Sequence, residues 1–530
     1  MREYNVALNA GVDYDTFWDE MENILPNHPN IPERAVEFTN ERVASLRQCW
    51  YLLTDEEAEL IRQDERVYCV EIPPEQRNDI KIGRTAKQIS DFTKTTSDSY
   101  EYVNWGLVRC NFQSNPYLVG LTTSSATTSS FEYNMAGAGV DVVIQDSGLQ
   151  VDHPEFTDKN GNSRVQQINW GTVSGLFTQN ANHYRDYDGH GTHVAGIAAG
   201  KTYGWAKDSN VYSLKVNGLE GSGDSGTGVS ITYCFDAIKL WHNAKSGSRP
   251  TVVNMSWGYS TEYNTVTSVN YRGTSYTDSN TKNNATYRNT NYGIVNVAGS
   301  TSTYSAPVRV GSVDVDVQEM IDSGIVVCIA AGNSSFKIDV SGIVSASFDY
   351  NNYVVTDAGT IYYHRGSSPY STDAFMVGSI DSSPYSSNEE QKATYSCTGP
   401  GVNIYAPGSN IMSATSNTNR WGTGSQPYYL NSSYNQTNIS GTSMASPQVC
   451  GIAALLCGAN PKASVKTIRE SLIRNAAGDL HTALSTNDWT DYRTLKGGTP
   501  SIAYNKFNKD IGLNISGELE LRGAFSYRIT

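Results

Sequence analysis

The sequence predicts an α/β protein: a three-layer sandwich with a mostly parallel central sheet, preceded by a small α+β unit. Two observations predict this fold class. From about residue 105, short apolar stretches such as GVDVVIQDSG and GIVVCIAAGN alternate with helix-like stretches, which is typical of a parallel sheet covered on both faces. The first 75 residues carry a separate order of strand and helix patterns. The 530 residues allow a large domain with insertions and an appended module.

Residues 1–75 predict a small sandwich of the ferredoxin-like type, because their patterns follow the order β-α-β-β-α-β. The stretch TDEEAELIRQD predicts a helix, with Thr54 as N-cap and Glu57 three residues later in a capping box. Residues 76–104 are polar and lack a long period. They predict an exposed linker.

Residues 105–480 predict the main domain, with two insertions at 259–305 and 336–370. Both insertions are rich in Asn, Thr, Ser and Tyr, so we expect them at the surface, as solvated loops or as a site for a substrate or partner. Residues 481–530 predict a β-rich extension, because LNISGELELRGAFSYRI alternates apolar and polar side chains.

Composition excludes several functional classes. The net charge of −14 argues against a nucleic-acid face, and without a run of about 18 apolar residues no membrane span is expected. The N-terminus lacks a secretory h-region, which favours a cytoplasmic or particle-associated protein, such as one packaged in a virion, over a secreted one. Eight cysteines without a C-x-x-C pair predict buried, reduced thiols rather than a zinc site.

Three strings place chemically useful side chains where parallel strands and helices meet. VVIQDSG ends a strand at Asp146, DGHGTHVAG opens a helix at His190, and SGTSMASP opens another at Ser443. A serine hydroxyl becomes a nucleophile when a histidine takes its proton and an aspartate orients that histidine. Asn333, after a buried strand, supplies an amide that can bind an oxyanion. Together they predict nucleophilic catalysis.

Each residue also has a plainer interpretation when it is taken alone. Ser443 fits a small core residue at a helix start, and Asp146 or Asn333 fits a turn residue. His193 is expected to hydrogen-bond within the fold. A zinc pair of His190 and His193 lacks the glutamate of the H-E-x-x-H motif. The four strings together are far more specific than any one of them.

In the order Asp, His, Ser, these strings resemble the subtilisin family of serine proteases, peptidase family S8, and FEYNMAGAGVDVVIQDSGL resembles its proteinase K-like branch. The resemblance implies a serine endopeptidase with a polypeptide substrate, while the charge and hydropathy of the chain predict no nucleic-acid partner and no membrane partner. It implies catalytic Asp146, His190 and Ser443, with Asn333 in the oxyanion hole. It also implies two edge strands that bind substrate, namely Gly221, Ser222 and Gly223 on one side and Ser256, Trp257 and Gly258 on the other. Trp257 stands where leucine is more usual.

Residues 1–75 resemble the inhibitory propeptide of that family, of the inhibitor I9 type, and WGLVR at Trp105 resembles the start of a mature enzyme. The resemblance implies a zymogen, inhibited by its own propeptide, that cuts itself at about residues 72–104. No cofactor is needed for the chemistry. Asn403 stands where the proteinase K branch has a calcium-binding aspartate, so we predict no metal ligand and leave any structural calcium ion unplaced.

One alternative stays open: a catalytically retired protein of the same fold that binds partners through its insertions and tail. Retired relatives usually lose a residue of the triad. All three are present here, which favours an active enzyme.

Overall fold

A computed structural model gives the architecture of the chain. It describes the following residues: 1–25, 28–42, 44–84, 86–87, 104–115, 133, 135–295, 304–342, 348–384, 389–478, 480–481, 489–507, 519–521 and 525–527.

The N-terminal unit (residues 1–76) is a four-stranded antiparallel sheet with two helices. Its elements are β1 (Arg2–Leu8), α1 (Tyr14–Met21), β2 (Phe38–Glu41), β3 (Gln48–Leu53), α2 (Asp55–Ile61) and β4 (Val67–Glu71). The strand order is β2-β3-β1-β4, and the unit has its own apolar core. The predicted capping box is confirmed, since Thr54 N donates to Glu57 Oε2 at 2.8 Å and Glu57 N donates to Thr54 Oγ1 at 3.2 Å.

The predicted linker does not begin as an exposed coil. A 3₁₀ turn at Pro74–Gln76 leads into β5 (Lys81–Arg84) and β6 (Ala86–Lys87). Both strands pair with strands of the main domain, so the expectation of an exposed linker is wrong for these residues. The sequence of these residues alone could not predict the strands, because each strand forms only by pairing with a strand that lies far away in the chain. Residues 88–103 lie outside the described residues.

The main domain follows from residue 104. Its helices are α3 (Trp105–Arg109), α4 (Trp170–Ser174), α5 (His190–Ala199), α6 (Ile231–Ala244), α7 (Ser279–Asn283), α8 (Ala285–Tyr292), α9 (Gly311–Asp322), α10 (Thr442–Ala459) and α11 (Val465–Asn475). Its strands are β7 (Asp141–Asp146), β8 (Asn210–Lys215), β9 (Thr251–Met255), β10 (Trp257–Tyr263), β11 (Val266–Tyr271), β12 (Thr274–Tyr276), β13 (Tyr304–Pro307), β14 (Val326–Ala330), β15 (Tyr353–Thr356), β16 (Gly359–Ile361), β17 (Phe375–Ile380), β18 (Ile404–Pro407), β19 (Ile411–Thr415), β20 (Ser425–Tyr428), β21 (Asn431–Gly441), β22 (Leu519–Leu521) and β23 (Phe525–Tyr527).

Six of these strands form the parallel central sheet, in the order β18-β17-β14-β9-β7-β8. Helices α5 and α10 pack against each other and against the sheet. Helices α6 and α9 pack together on the other side of the sheet, and both contact the N-terminal unit. The predicted α/β fold class is therefore confirmed. By length and composition α10 could cross a membrane, but 89% of it is buried inside the protein, as expected of a core helix.

The two insertions form one packed module instead of two solvated loops. Strands β11 and β12 of the first insertion and β15 and β16 of the second share an antiparallel sheet in the order β12-β11-β15-β16. Apolar side chains such as Val269, Tyr292 and Val354 are buried there. The expectation of solvated loops is wrong, because the Tyr-rich composition supplies aromatic side chains that pack against each other.

The C-terminal extension also contributes to this packing. Trp489 stacks on His364 of the second insertion with ring centroids 4.8 Å apart. Strands β22 and β23 pair antiparallel with each other.

Candidate active site

Asp146 and His190 are in direct contact at the edge of the central sheet. Asp146 is the last residue of β7 and His190 the first residue of α5. The His190 Nδ1 atom lies 2.7 Å from Asp146 Oδ1, and both side chains are fully buried. Within the described ranges, His190 Nε2 has no hydrogen-bond partner. The aspartate fixes one ring nitrogen and leaves the other available for proton transfer.

A second aspartate, Asp186, orders the loop that leads into α5, and the sequence reasoning missed it. Its Oδ1 accepts hydrogen bonds from Ser147 Oγ at 2.9 Å and Gly189 N at 2.8 Å, and its Oδ2 accepts from Thr192 N at 2.9 Å. Because Ser147 follows Asp146, Asp186 connects the turn after β7 to the start of α5, which begins at His190. One signal could have predicted this role. Asp186 lies just before a helix start, where backbone N–H groups need acceptors.

Ser443 lies in the first turn of α10, next to the start of β10. Its hydroxyl donates to the carbonyl of Ser256 at 3.0 Å, and the Ser256 hydroxyl donates back to the carbonyl of Ser443 at 3.1 Å. Asn254, buried near the end of β9, donates to Ser256 Oγ at 2.8 Å and accepts from Ser446 Oγ at 2.7 Å. The sheet therefore anchors the serine turn from two sides, while α10 packs against the helix that begins at His190.

Asn333 holds its side chain beside the same turn. Its Oδ1 accepts from both the backbone N and the hydroxyl of Thr442, each at 2.9 Å. Its Nδ2 is buried and has no hydrogen-bond partner among the described residues. The amide is thus fixed at its oxygen with an N–H₂ group available, which is the arrangement that binding a developing oxyanion requires.

The edge predicted at Ser256, Trp257 and Gly258 is a strand end that pairs with the chain's own β5. Trp257 lies opposite Arg84, and Gly258 lies opposite Gly83. The Trp257 side chain is fully buried and donates from Nε1 to the carbonyl of Gln145 at 3.1 Å. It therefore braces the strand that carries Asp146.

The other predicted edge, Gly221, Ser222 and Gly223, forms a turn and not an edge strand. Asp224 N donates to the Gly221 carbonyl at 3.1 Å, and Gly223 has a positive φ of 85°. A Cβ at Gly221 would lie 2.1 Å from the carbonyl carbon of Tyr187, so the backbones approach too closely for any side chain. The expectation of a strand is wrong here, and substrate binding by these residues stays a prediction.

Two other sequence predictions concern residues near the site. His193 Nε2 lies 3.0 Å from the Thr437 carbonyl and 3.1 Å from the Ile411 carbonyl, and burial lowers the pKa of His193 to about 3. The prediction that it bonds within the fold is confirmed. Asn403 accepts from Met376 N and donates to the Ala374 carbonyl, so its side chain is used in bracing two neighbouring segments.

One group of carboxylates in the described part of the chain has oxygens close enough for a metal ion. Asp236 of α6 lies beside Asp316 and Glu319 of α9, all buried. Two cationic side chains already contact this group. Arg42 of the N-terminal unit binds Asp236 and Asp316 at 2.8 Å each, and Lys239 binds Glu319 at 2.6 Å. In this structure the carboxylates are neutralised by a guanidinium and an ammonium.

Comparison of the sequence with known proteins finds subtilisin-like proteases. The chain is 29% identical over 346 residues to Subtilisin-like protease 3 of Arthroderma otae, covering 64% of this chain and 59% of that protein. It is 26% identical over 420 residues to a cuticle-degrading serine protease of Arthrobotrys oligospora, covering 79% of this chain and 71% of that one. The match to the first of these relatives thus spans less than two thirds of its length.

A solved structure and a family model complete the comparison. The crystal structure of fervidolysin from Fervidobacterium pennivorans, a keratinolytic enzyme related to subtilisin, aligns over 95% of this chain and 60% of its own, with a TM-score of 0.50 and 16% identity. That likeness concerns the fold. Residues 137–499 match the subtilase family model, Peptidase_S8. Because this match spans more than half of the sequence, the chain belongs to the subtilase family.

Proposed function

We propose that the chain is a serine endopeptidase that hydrolyses peptide bonds through Asp146, His190 and Ser443 and is made as a self-processing zymogen. The observation that carries the proposal is the buried 2.7 Å contact between Asp146 and His190, which leaves His190 Nε2 without a hydrogen-bond partner among the described residues. The helix that begins at His190 packs against α10, which bears Ser443. The names of the relatives, both proteases, support the same activity.

The chemistry proceeds in two steps. His190 Nε2 takes the proton of Ser443 Oγ as this oxygen attacks the substrate carbonyl carbon, and the imidazolium then returns the proton to the leaving amine. Asp146 holds the imidazole in the required tautomer and stabilises its positive charge. Water then attacks the acyl-enzyme in the reverse sense and frees Ser443.

Two N–H donors stabilise the negative charge that develops on the substrate oxygen. One is Asn333 Nδ2, which is buried and has no partner within the described residues. The other is the backbone N–H of Ser443, which lies in the first turn of α10, where the partial positive charge of the helix N-terminus favours an anion. Both donors are fixed before substrate binds, so little reorganisation is needed as charge forms.

The N-terminal unit acts as an inhibitory prodomain in this proposal, and its contacts with the helix starts support that role. Glu71 accepts from the backbone N–H groups of Gly311 and Ser312 at the start of α9, at 3.1 and 3.2 Å. Glu75 accepts from Thr232 N at the start of α6, at 2.8 Å. Carboxylates are favourable at these positions because helix N-termini carry partial positive charge.

The segment that follows the prodomain lies along the cleft on both sides of Ser443. Strand β5 pairs with β10, with Arg84 opposite Trp257, and β6 pairs with the end of β21, with Ala86 opposite Gly441. The two paired segments are separated by one residue, number 85, and their partners Trp257 and Gly441 lie one residue from Ser256 and two residues from Ser443, respectively. Thr85 lies outside the described residues, so the assignment rests on its neighbours. We propose the Thr85–Ala86 bond as the bond that is cut.

The test compares the full chain with its Ser443→Ala variant. The unsubstituted chain is expected to react with a fluorophosphonate probe and to yield a fragment that begins at Ala86 by mass spectrometry. The variant should stay full length and unlabelled, whereas Ser432→Ala, at an exposed serine of β21, should behave like the unsubstituted chain. If the unsubstituted chain neither reacts nor cleaves, the proposed activity is wrong. A different new N-terminus would overturn only the assigned bond.

A further inference from the structure

The strand that borders the substrate cleft continues beyond the residues that pair with β5. Strand β10 runs from Trp257 to Tyr263, and its first four residues pair with β5. Its last four residues pair on the other edge with β13. Tyr263 is buried and stacks on Tyr304 of β13 with ring centroids 5.2 Å apart. The far half of β10 is therefore held rigidly by the first insertion.

The chain's own segment stays in contact with this far half. The hydroxyl of Thr261 donates to the carbonyl of Asp79 at 2.7 Å, and Thr261 is 4% exposed. Between Asp79 and β5, Ile80 is only 7% exposed. Its side chain belongs to the apolar core of the main domain and not to the core of the N-terminal unit. The main domain thus binds both a backbone carbonyl and an apolar side chain upstream of β5.

Counted from the bond proposed for cleavage, Ile80 is the sixth residue on the N-terminal side and Asp79 the seventh. A cavity of about 350 Å³ adjoins Asp79, and its lining includes Thr261 and Ile361 of the main domain as well as Tyr68 and Glu71 of the N-terminal unit. Thr261 belongs to the first insertion and Ile361 to the second, so the main-domain side of the cavity comes from both insertions.

We propose that the surface formed by the last four residues of β10 and their surroundings, which contacts Asp79 and Ile80 here, is a substrate-binding site. This site selects an apolar residue at the sixth position before the cut bond. The inference rests on the proposed endopeptidase function and specifies its substrate as an extended peptide. The substrate adds as a strand to β10, its sixth residue occupies the position of Ile80, and Thr261 binds the carbonyl of the seventh. Because the site is preformed and braced, ordering it costs little when a substrate binds.

The experiment uses the self-cleaved enzyme and internally quenched peptides that copy residues 77–90. Replacing Ile80 in the peptide by Asp, or shortening the peptide to residues 82–90, is expected to lower kcat/KM by about 10- to 100-fold. This factor corresponds to the free energy gained by burying one isoleucine side chain. Asn78→Ala in the peptide is the matched control, since Asn78 is exposed, and should change nothing.

An enzyme variant gives the complementary test. Thr261→Val removes the hydroxyl with little change of shape, so it should lower kcat/KM for the long peptide and leave the short peptide unaffected. If long and short peptides are cleaved equally well, the inference is overturned while the proposed function stands. If no peptide is cleaved and the fluorophosphonate probe does not label Ser443, the endopeptidase function is overturned as well.

Discussion

Arg42 is the residue of the N-terminal unit whose replacement tests most directly how that unit is held on the enzyme. Its guanidinium is 2% exposed and bridges Asp236 and Asp316, which are 1% and 4% exposed. Arg42→Met keeps the length and the apolar stem but removes the charge. Removing one partner of a buried ion pair costs about 3–5 kcal/mol, because the remaining carboxylates lose their compensation.

The lower end of that range applies here. Lys239 lies 3.7 Å from Asp236 Oδ1 and remains as a partial counterion. Burial raises the pKa of Asp316 to about 7, so this carboxyl can take up a proton when Arg42 is lost. We therefore expect about 3 kcal/mol, which corresponds to a prodomain bound roughly 100-fold more weakly.

The assay measures the Kd of the self-cleaved complex. The complex is diluted, and the activity that appears on a short peptide reports the fraction of enzyme freed from the prodomain. Arg2→Met, which removes an exposed ion pair with Asp55, is the control and should leave the Kd unchanged within about twofold. Thermal unfolding of each chain in a Ser443→Ala background checks that the fold is retained.

A double variant separates the two causes of any loss. If the cost comes from an uncompensated carboxylate, Asp316→Asn in the Arg42→Met background should recover part of the affinity. A folded Arg42→Met chain whose Kd lies within about threefold of the unsubstituted value would refute the reasoning.

Three further predictions concern pH and the catalytic groups. Burial raises the pKa of Asp316 from its ordinary value of 3.8 to about 7 in the complex, so a carboxyl that is exposed when the prodomain leaves is expected to release a proton on dissociation. The Kd, measured by the same dilution assay, should therefore rise between about pH 4 and pH 7, level off above pH 7, and show no such rise in Asp316→Asn. Asp146→Asn should lower kcat on a short peptide by about 10⁴-fold while the fold persists by circular dichroism. Asn333→Ala should lower kcat by about 10²- to 10³-fold with KM unchanged in steady-state kinetics, the loss known for subtilisin; a change in KM alone would contradict its role.

The features that local sequence carries were the predictable ones. The apolar runs that became β7 and β14 predicted buried parallel strands, and Thr54 with Glu57 predicted a capped helix; all three are confirmed. Such patterns depend on residues a few positions apart, so they can be interpreted without knowing the rest of the chain.

The features that depend on distant partners were not predictable. Lys81–Arg84 forms a strand only because β10 offers an open edge more than 170 residues later in the chain. Gly221 lies in a turn because its backbone packs against Tyr187. The role of Asp186 emerges only when the turn after β7 and the start of α5 are brought together.

The pairing of β11 with β15 joins two separate stretches of chain into one sheet. Neither stretch could be trimmed alone to make a smaller enzyme, because losing β11 would bare the backbone N–H and C=O groups of β15 and invite aggregation. Shortening the protein therefore requires excising both stretches at once.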